Sequence, residues 1–109
     1  MRKWRGLDPL EKQVEAECDR MMALLHWTAI RFSQARATRQ TRGIPDRKYY
    51  KGGWTFWFEC KAEGGKQGPD QRAFQEMCQQ AGEFYVVGGV RELAFFLLDV
   101  YGEKVKASA

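Results

Sequence analysis

The sequence has little of what zinc sites and disulfide frameworks require. It contains one histidine and three cysteines in 109 residues, and the cysteines are widely spaced. This spacing matches no zinc pattern, and an odd number of cysteines leaves at least one thiol unpaired. We therefore expect reduced thiols that mostly pack inside the protein, as is usual in the cytoplasm.

Long apolar runs are also missing. The longest, Leu93 to Leu98, is stopped by Asp99 and is far shorter than the roughly 20 residues that cross a bilayer. Near the N-terminus, Asp8 and Glu11 interrupt anything that could serve as the apolar stretch of a signal peptide. We expect neither secretion nor a membrane partner.

The chain does have enough apolar material for one folded domain. Its hydrophobic fraction is 44%, and it contains four tryptophans, four tyrosines and seven phenylalanines. A length of 109 residues fits a single domain and leaves no material for the core of a second one. We therefore expect one domain over 1–109, with a core over about 8–100 and a tail over 101–109.

Positive charge is concentrated in one segment. The formal net charge is +4, but residues 31–51 carry seven basic residues against one acid, which gives this segment +6. The rest of the chain, with eleven basic and thirteen acidic residues, carries −2. Such a segment fits either a surface that binds a phosphate backbone or a solvated loop, and the charge alone does not separate the two.

The apolar periodicity predicts an α/β fold with a mixed β-sheet flanked by helices, in the order α-β-β-β-α-β. The predicted elements are a helix from Pro9 to about Leu25, strands at about 27–32, 46–50 and 54–62, a helix over 69–82, a strand at 84–87 and a last helix over 91–100. Within that last segment, Phe95 to Leu98 also fits a strand, so both alternatives remain open.

Three charged residues stand out in the second and third predicted strands. Strict alternation from Trp54 to Ala62 puts Glu59 and Lys61 side by side on one face, and Asp46 begins the partner strand of the hairpin. Two carboxylates within reach of one another suit Mg²⁺, and a lysine beside them can orient water or stabilise charge on a phosphate. The alternative is ordinary polar decoration of a solvent-facing strand.

The same residues carry a resemblance to a known family. Gly43-Ile44-Pro45-Asp46 is followed thirteen residues later by Glu59-Cys60-Lys61, then by Gly64-Gly65 and by Gln71 at the start of a helix. From about Val14 to Val87 this pattern resembles the PD-(D/E)XK nuclease superfamily, and within it the VRR-Nuc family of virus-type replication-repair nucleases. The resemblance implies a restriction-endonuclease-like core.

The resemblance also implies roles for single residues. Asp46 and Glu59 would be metal-binding carboxylates, with the main-chain carbonyl of Cys60 as a further ligand, Lys61 as the catalytic lysine and Gln71 as a supporting residue. A glutamate of the first helix is expected too. Glu15 is the first choice, eleven residues before His26, where similar nucleases often have glycine; Glu11 is the second choice, because it already fits a helix-capping box.

The expected function is therefore a Mg²⁺-dependent DNA nuclease, with Mn²⁺ able to substitute. The expected setting is the cytoplasm of a bacterial or phage-infected cell. Because so small a domain can contact few phosphates, we expect a homodimer that selects junctions, flaps or other branched DNA. The alternatives are a non-catalytic nucleic-acid-binding module of the same fold and a protein-interaction domain. The basic residues assigned to the phosphate backbone are Arg36, Arg39, Arg42, Arg47, Lys48 and Lys66.

Overall fold

The computed structural model describes residues 9–32 and 42–105. Its elements are α1 (Pro9–Leu24), β1 (Thr28–Arg31), β2 (Arg47–Lys51), β3 (Trp54–Cys60), α2 (Pro69–Gln80), β4 (Tyr85–Gly88) and α3 (Val90–Tyr101). The predicted order of helices and strands is confirmed. The last segment is a helix, which resolves the alternative that the apolar run had left open.

The four strands form one mixed sheet in the order β1-β2-β3-β4. The first three strands are antiparallel, and Gly52 in the two-residue turn between β2 and β3 adopts a φ of 58°, which glycine reaches without strain. The fourth strand runs parallel to β3, so the connection between them has to cross back along the sheet. Helix α2 provides that crossover.

Helices cover both faces of the sheet. Cys18 and Met22 of α1 and Leu93 and Leu97 of α3 pack on one face, in a buried cluster with alternate residues of the strands. The strand residues of this cluster are Tyr49, Phe56, Phe58, Cys60 and Val86. On the other face, Phe74 of α2 packs edge-on against Trp57 at 5.1 Å between ring centroids. Three layers result, and all three cysteines are buried and free, as expected.

Burial explains why the run from Leu93 to Leu98 is helical. Leu93 and Leu97 are fully buried, whereas Phe95 and Leu98 are 70% and 49% exposed. Burial at a spacing of four residues matches one face of a helix and not the alternation of a strand. Gly102, with a φ of 68°, ends the helix in the left-handed conformation.

Several element boundaries differ from the prediction. β2 begins at Arg47 and β3 ends at Cys60, so Asp46 and Lys61 lie just outside the strands. Residues 101–105 are not a loose tail: the Trp27 indole N–H donates to Glu103 at 2.8 Å, and Val105 packs against the core. Asp8, which the sequence predicts as the N-terminal partner of Glu11 in a capping box, lies outside the described residues.

Within residues 9–32 and 42–105, no helix combines the length and the apolar character that a membrane crossing needs.

Replacing a buried leucine of α3 tests this arrangement. We expect Leu97→Ala to lower the free energy of unfolding by about 2–5 kcal/mol, because it leaves a cavity between α3 and the sheet. Leu24→Ala is the control, since Leu24 is 75% exposed, and we expect a change of roughly 0.5 kcal/mol or less. Urea unfolding of both variants measures the difference, and equal effects would contradict the assigned core.

Candidate metal centre and catalytic lysine

The candidate site lies where β2 begins and β3 ends. Arg47 pairs with Phe58 in the antiparallel register, so one further step places Asp46 beside Glu59. Side chains of directly opposite residues share a face of an antiparallel sheet. The alternation that the sequence predicted therefore holds to the end of β3, where Glu59 and Lys61 approach within 3.6 Å (Oε2 to Nζ).

Helix α1 brings two more carboxylates to this corner. Glu11, Glu15 and Asp46 each offer a carboxylate oxygen, and these oxygens lie within 4.8 Å of one another. Glu11 and Glu15 are four residues apart and so share a face of α1. The Cys60 thiol holds this part of α1 against the end of β3, with its Sγ 3.9 Å from the Glu11 carbonyl oxygen. Both alternatives for the first-helix glutamate therefore lie at the site.

Asp46 is held in a destabilising environment. Burial raises the pKa of its carboxyl group above the ordinary value of 3.8, and the negative charges of Glu15 and Glu59 act in the same direction. The Cys60 amide donates a hydrogen bond to Oδ2 at 3.2 Å, which opposes the rise. A bound cation would relieve the repulsion among these carboxylates.

Glu59 is the most buried charged residue at the site, with 1% of its surface exposed. Its Oε1 accepts hydrogen bonds from the Tyr85 hydroxyl at 2.7 Å and from the Gln67 amide at 3.1 Å. Its Oε2 is buried and has no hydrogen-bond partner within the described part of the chain. A buried carboxylate oxygen in this state is costly and needs an explanation.

The main chain of Cys60 contributes to the same corner. Its N–H donates to Asp46, and in an extended strand the N–H and C=O of one residue point to the same side. The carbonyl oxygen of Cys60 therefore lies along the edge of β3 that faces Asp46. This orientation is compatible with the role as a main-chain metal ligand that the resemblance implies.

Position 43, three residues before Asp46, requires a glycine. Its φ is 77°, and a Cβ atom at this position would lie 2.0 Å from the carbonyl oxygen of Asp70 at the start of α2. No other residue type fits so close to a neighbouring backbone without displacement. The loop that carries Asp46 is therefore seated against α2.

His26 stands where similar nucleases often have glycine, and its backbone conformation bears on this difference. Among the described residues other than glycine, it alone has a positive φ, 69°. This left-handed region favours glycine, and histidine is one of the residue types that enter it more often than most. The backbone at His26 is therefore one that glycine would adopt readily, which supports the alignment that selects Glu15.

Gln71, which the resemblance implies as a supporting residue, makes a capping contact in this structure. Its Oε1 accepts the Gly68 amide N–H at 2.8 Å, which caps the first turn of α2. The glutamine that contacts Glu59 is Gln67, in the glycine-rich connection. Sequence analysis missed Gln67 and Tyr85, because a loop residue has no periodicity and the Tyr85 contact depends on the parallel pairing of β3 with β4.

Arg47 was wrongly assigned to the phosphate backbone. It is 6% exposed and donates to Asp19 at 2.7 Å (Nε) and 2.9 Å (Nη2), and to Glu15 at 3.4 Å. Burial by itself raises the pKa of Asp19, but the hydrogen bonds and charge of Arg47, together with Arg31, lower it overall. Arg47 thus connects α1 to β2, and its burial makes it poorly placed to bind the phosphate backbone.

The other basic residues fall into three groups. Lys48 is largely buried, 3.7 Å from Glu83 (Nζ to Oε2) and 4.5 Å from the Trp57 ring centroid, so it is poorly placed for a phosphate. Arg42 and Lys66 are exposed, and Arg42 forms a long, exposed ion pair with Asp70 at 3.7 Å (Nη1 to Oδ2). The remaining two, Arg36 and Arg39, lie outside the described residues.

No family model, no curated protein and no solved structure matches this chain. The geometry of the described residues is therefore the basis for assigning a function. Among the described residues, Glu11, Glu15 and Asp46 cluster at one corner of the sheet, and neighbouring Glu59 has a buried oxygen that lacks a hydrogen bond and lies 3.6 Å from Lys61 Nζ. These are the features of a candidate divalent-metal centre.

Removing the Arg47 charge tests its structural role. We expect Arg47→Met to lower the free energy of unfolding by about 3 kcal/mol, because Asp19 and Glu15 lose the partner that compensates their charges. Arg42→Met is the control, and we expect it to change stability by roughly 0.5 kcal/mol or less, because its ion pair is exposed. Urea unfolding at neutral pH measures the free energy of unfolding of both variants. An Arg47→Met protein as stable as the wild type would contradict the structural role of Arg47.

Asp46 gives a prediction with a defined pH dependence. Because the folded-state pKa of Asp46 is raised, its ionisation destabilises the fold as the pH rises above 3.8. We expect Asp46→Asn to raise the melting temperature of the metal-free protein at pH 7.5, since asparagine keeps an oxygen for the Cys60 amide. The gain should disappear below pH 3.8. Thermal melts in EDTA measure it, with the exposed Glu76→Gln as control; a lower melting temperature would refute it.

Proposed function

We propose that this protein is a Mg²⁺-dependent deoxyribonuclease that hydrolyses phosphodiester bonds. We further propose that its mixed sheet is the restriction-endonuclease-like core of the PD-(D/E)XK superfamily, similar to the VRR-Nuc family. The observation that carries the proposal is Oε2 of Glu59, which is buried, lacks a hydrogen-bond partner among the described residues and lies 3.6 Å from Lys61 Nζ. Burying such an oxygen is unfavourable unless it is paired and hydrogen-bonded, and at 3.6 Å Lys61 supplies the charge but not the hydrogen bond.

The donor atoms at the site fit a hard divalent cation. Carboxylate oxygens of Glu11, Glu15 and Asp46 lie within 4.8 Å of one another, Glu59 is close enough for its charge to act on Asp46, and the Cys60 carbonyl faces the same corner. Mg²⁺ prefers oxygen ligands and retains several waters, and Mn²⁺ accepts the same donors. When bound, the cation supplies a Lewis acid that stabilises negative charge on the reacting phosphate.

The chain's own residues would then divide the work between binding and chemistry. Lys61, mostly buried and directed to Glu59, is suited to orient the attacking water and to stabilise charge that grows on the phosphate. Arg42 and Lys66, both exposed, are suited to bind the backbone phosphates that flank the scissile bond. The acidic cluster itself repels DNA, and the positive charges of Arg42 and Lys66 would offset this repulsion.

The decisive experiment is cleavage of a matched panel of DNAs. Duplex, single-stranded, flap and four-way-junction molecules of one sequence are incubated with Mg²⁺, Mn²⁺ or EDTA. We expect cleavage with either cation, a preference for branched DNA and none in EDTA. Salt-dependent binding without cleavage would favour the non-catalytic nucleic-acid-binding module, and neither binding nor cleavage would reject both.

Two lysines of the site should separate chemistry from binding. We expect Lys61→Ala to reduce turnover by at least about 100-fold while DNA affinity stays within roughly threefold, because phosphate affinity is spread over several cations. Lys66→Ala should do the opposite, weakening DNA binding with little effect on saturated turnover. Single-turnover cleavage and fluorescence anisotropy measure the two quantities. Normal turnover of Lys61→Ala would remove Lys61 from the catalytic site.

We propose that the active species is a homodimer whose two copies contact each other through the exposed face of α3. Leu93 and Leu97 belong to the core, which leaves Phe95 and Leu98 for a second copy. A two-fold axis would place two sites at a fixed separation, as branched DNA requires.

Light scattering at micromolar concentration tests the dimer. We expect the double variant Phe95→Ser with Leu98→Ser to be a monomer, because two large apolar contacts are removed from the shared surface. Leu24→Ser, which changes a leucine of α1 that is 75% exposed, should leave the dimer intact. A wild-type protein that is monomeric throughout this range would refute the proposal.

A further inference from the structure

The two oxygens of Glu59 have different surroundings. Oε1 accepts two hydrogen bonds, from the Tyr85 hydroxyl at 2.7 Å and from the Gln67 amide at 3.1 Å. Oε2 accepts none from the described residues and lies 3.6 Å from Lys61 Nζ. A carboxylate that is free to rotate would exchange these two positions, whereas two donors on one oxygen prevent the rotation.

Each donor is itself held in place by neighbouring residues. Gln67 donates its second amide hydrogen to Gln75 Oε1 at 2.9 Å, and its main-chain carbonyl accepts from Arg72 Nη1 at 2.7 Å. Both hydrogens of the Gln67 amide group are therefore used. Tyr85 begins β4 and pairs with Trp57 in β3, and its ring packs near Phe74. Sheet and helix thus fix both donors before any ligand binds.

We propose that Tyr85 and Gln67 are positioning residues that make Glu59 offer a divalent cation one oxygen, Oε2, and not two. The inference rests on the proposed metal centre and adds cation selectivity to it. Mg²⁺ requires near-ideal octahedral geometry, whereas Ca²⁺ accepts six to eight oxygens and readily takes both oxygens of one carboxylate. Holding Oε1 with two donors therefore favours Mg²⁺ and Mn²⁺ over Ca²⁺.

Two conservative variants test this role by calorimetry. Tyr85→Phe removes only the hydroxyl, and Gln67→Met removes the amide donor while keeping a side chain of similar length. Each protein is titrated with Mg²⁺, Mn²⁺ and Ca²⁺ separately. We expect affinity for Mg²⁺ and Mn²⁺ to fall about tenfold, the lower end of the effect of residues that orient metal ligands, and affinity for Ca²⁺ to fall less. The affinity for Mg²⁺ relative to the affinity for Ca²⁺ should therefore decrease.

Matched controls separate this role from loss of folding. Tyr50→Phe alters a more exposed tyrosine of the same sheet, and Gln80→Met alters an exposed glutamine at the end of α2. Both should bind cations as the wild type does. Melting temperatures in EDTA report folding. A general loss of stability would lower the affinities for Mg²⁺, Mn²⁺ and Ca²⁺ by the same factor, so the affinity for Mg²⁺ relative to that for Ca²⁺ would not change. Gln67, which lies in a loop, keeps the test valid if Tyr85→Phe folds poorly.

The cleavage reaction adds a kinetic readout. In both variants the Mg²⁺ concentration for half-maximal cleavage should rise about tenfold, while KM for DNA remains unchanged. A wild-type protein that binds no divalent cation would overturn the metal centre and this inference together. A wild type that binds Mg²⁺, with variants that retain its affinities and their ratio, would overturn only the roles of Tyr85 and Gln67.

Discussion

The antiparallel register between β2 and β3 is the constraint on which the site depends. It sets Arg47 opposite Phe58 and thereby brings Asp46 to the end of β3, where the Cys60 amide donates to its carboxylate. A shift of one residue would move every side chain of β2 to the opposite face. Arg47 would then leave the side of α1, and Asp46 would leave Glu59.

Charge is distributed so that the fold tolerates this corner. Glu11 and Glu15 of α1 lie close to Asp46, and the pKa of Asp46 is raised by burial and by the charges of Glu15 and Glu59. One turn further along α1, Asp19 is neutralised by Arg47 of β2, which also contacts Glu15. Arg47 therefore compensates negative charge on one side of Glu15, and the cluster with Glu11 and Asp46 lies on the other.

Particular residues show how far sequence analysis reaches. Alternation in β3 predicts that Glu59 and Lys61 are neighbours, because the period of a strand is local. It cannot predict that Glu59 is buried, since burial comes from β4 and the loop after Lys61. Likewise Gln71 fits a site residue by its position in the motif, yet it caps α2, and Gln67 takes the contact with Glu59.

The sequence by itself determined the order of elements, the two faces of β3 and the residue types that suit a divalent cation, because these depend on local periodicity and on the chemistry of single side chains. The tertiary structure alone decided which carboxylates meet, that Arg47 is buried in an ion pair and that Oε2 of Glu59 accepts no hydrogen bond from residues 9–32 and 42–105. These properties depend on contacts between residues far apart in the chain. Glu15 and Arg47, or Glu59 and Tyr85, become neighbours only when helix and strands pack, and no local pattern records which of them will touch.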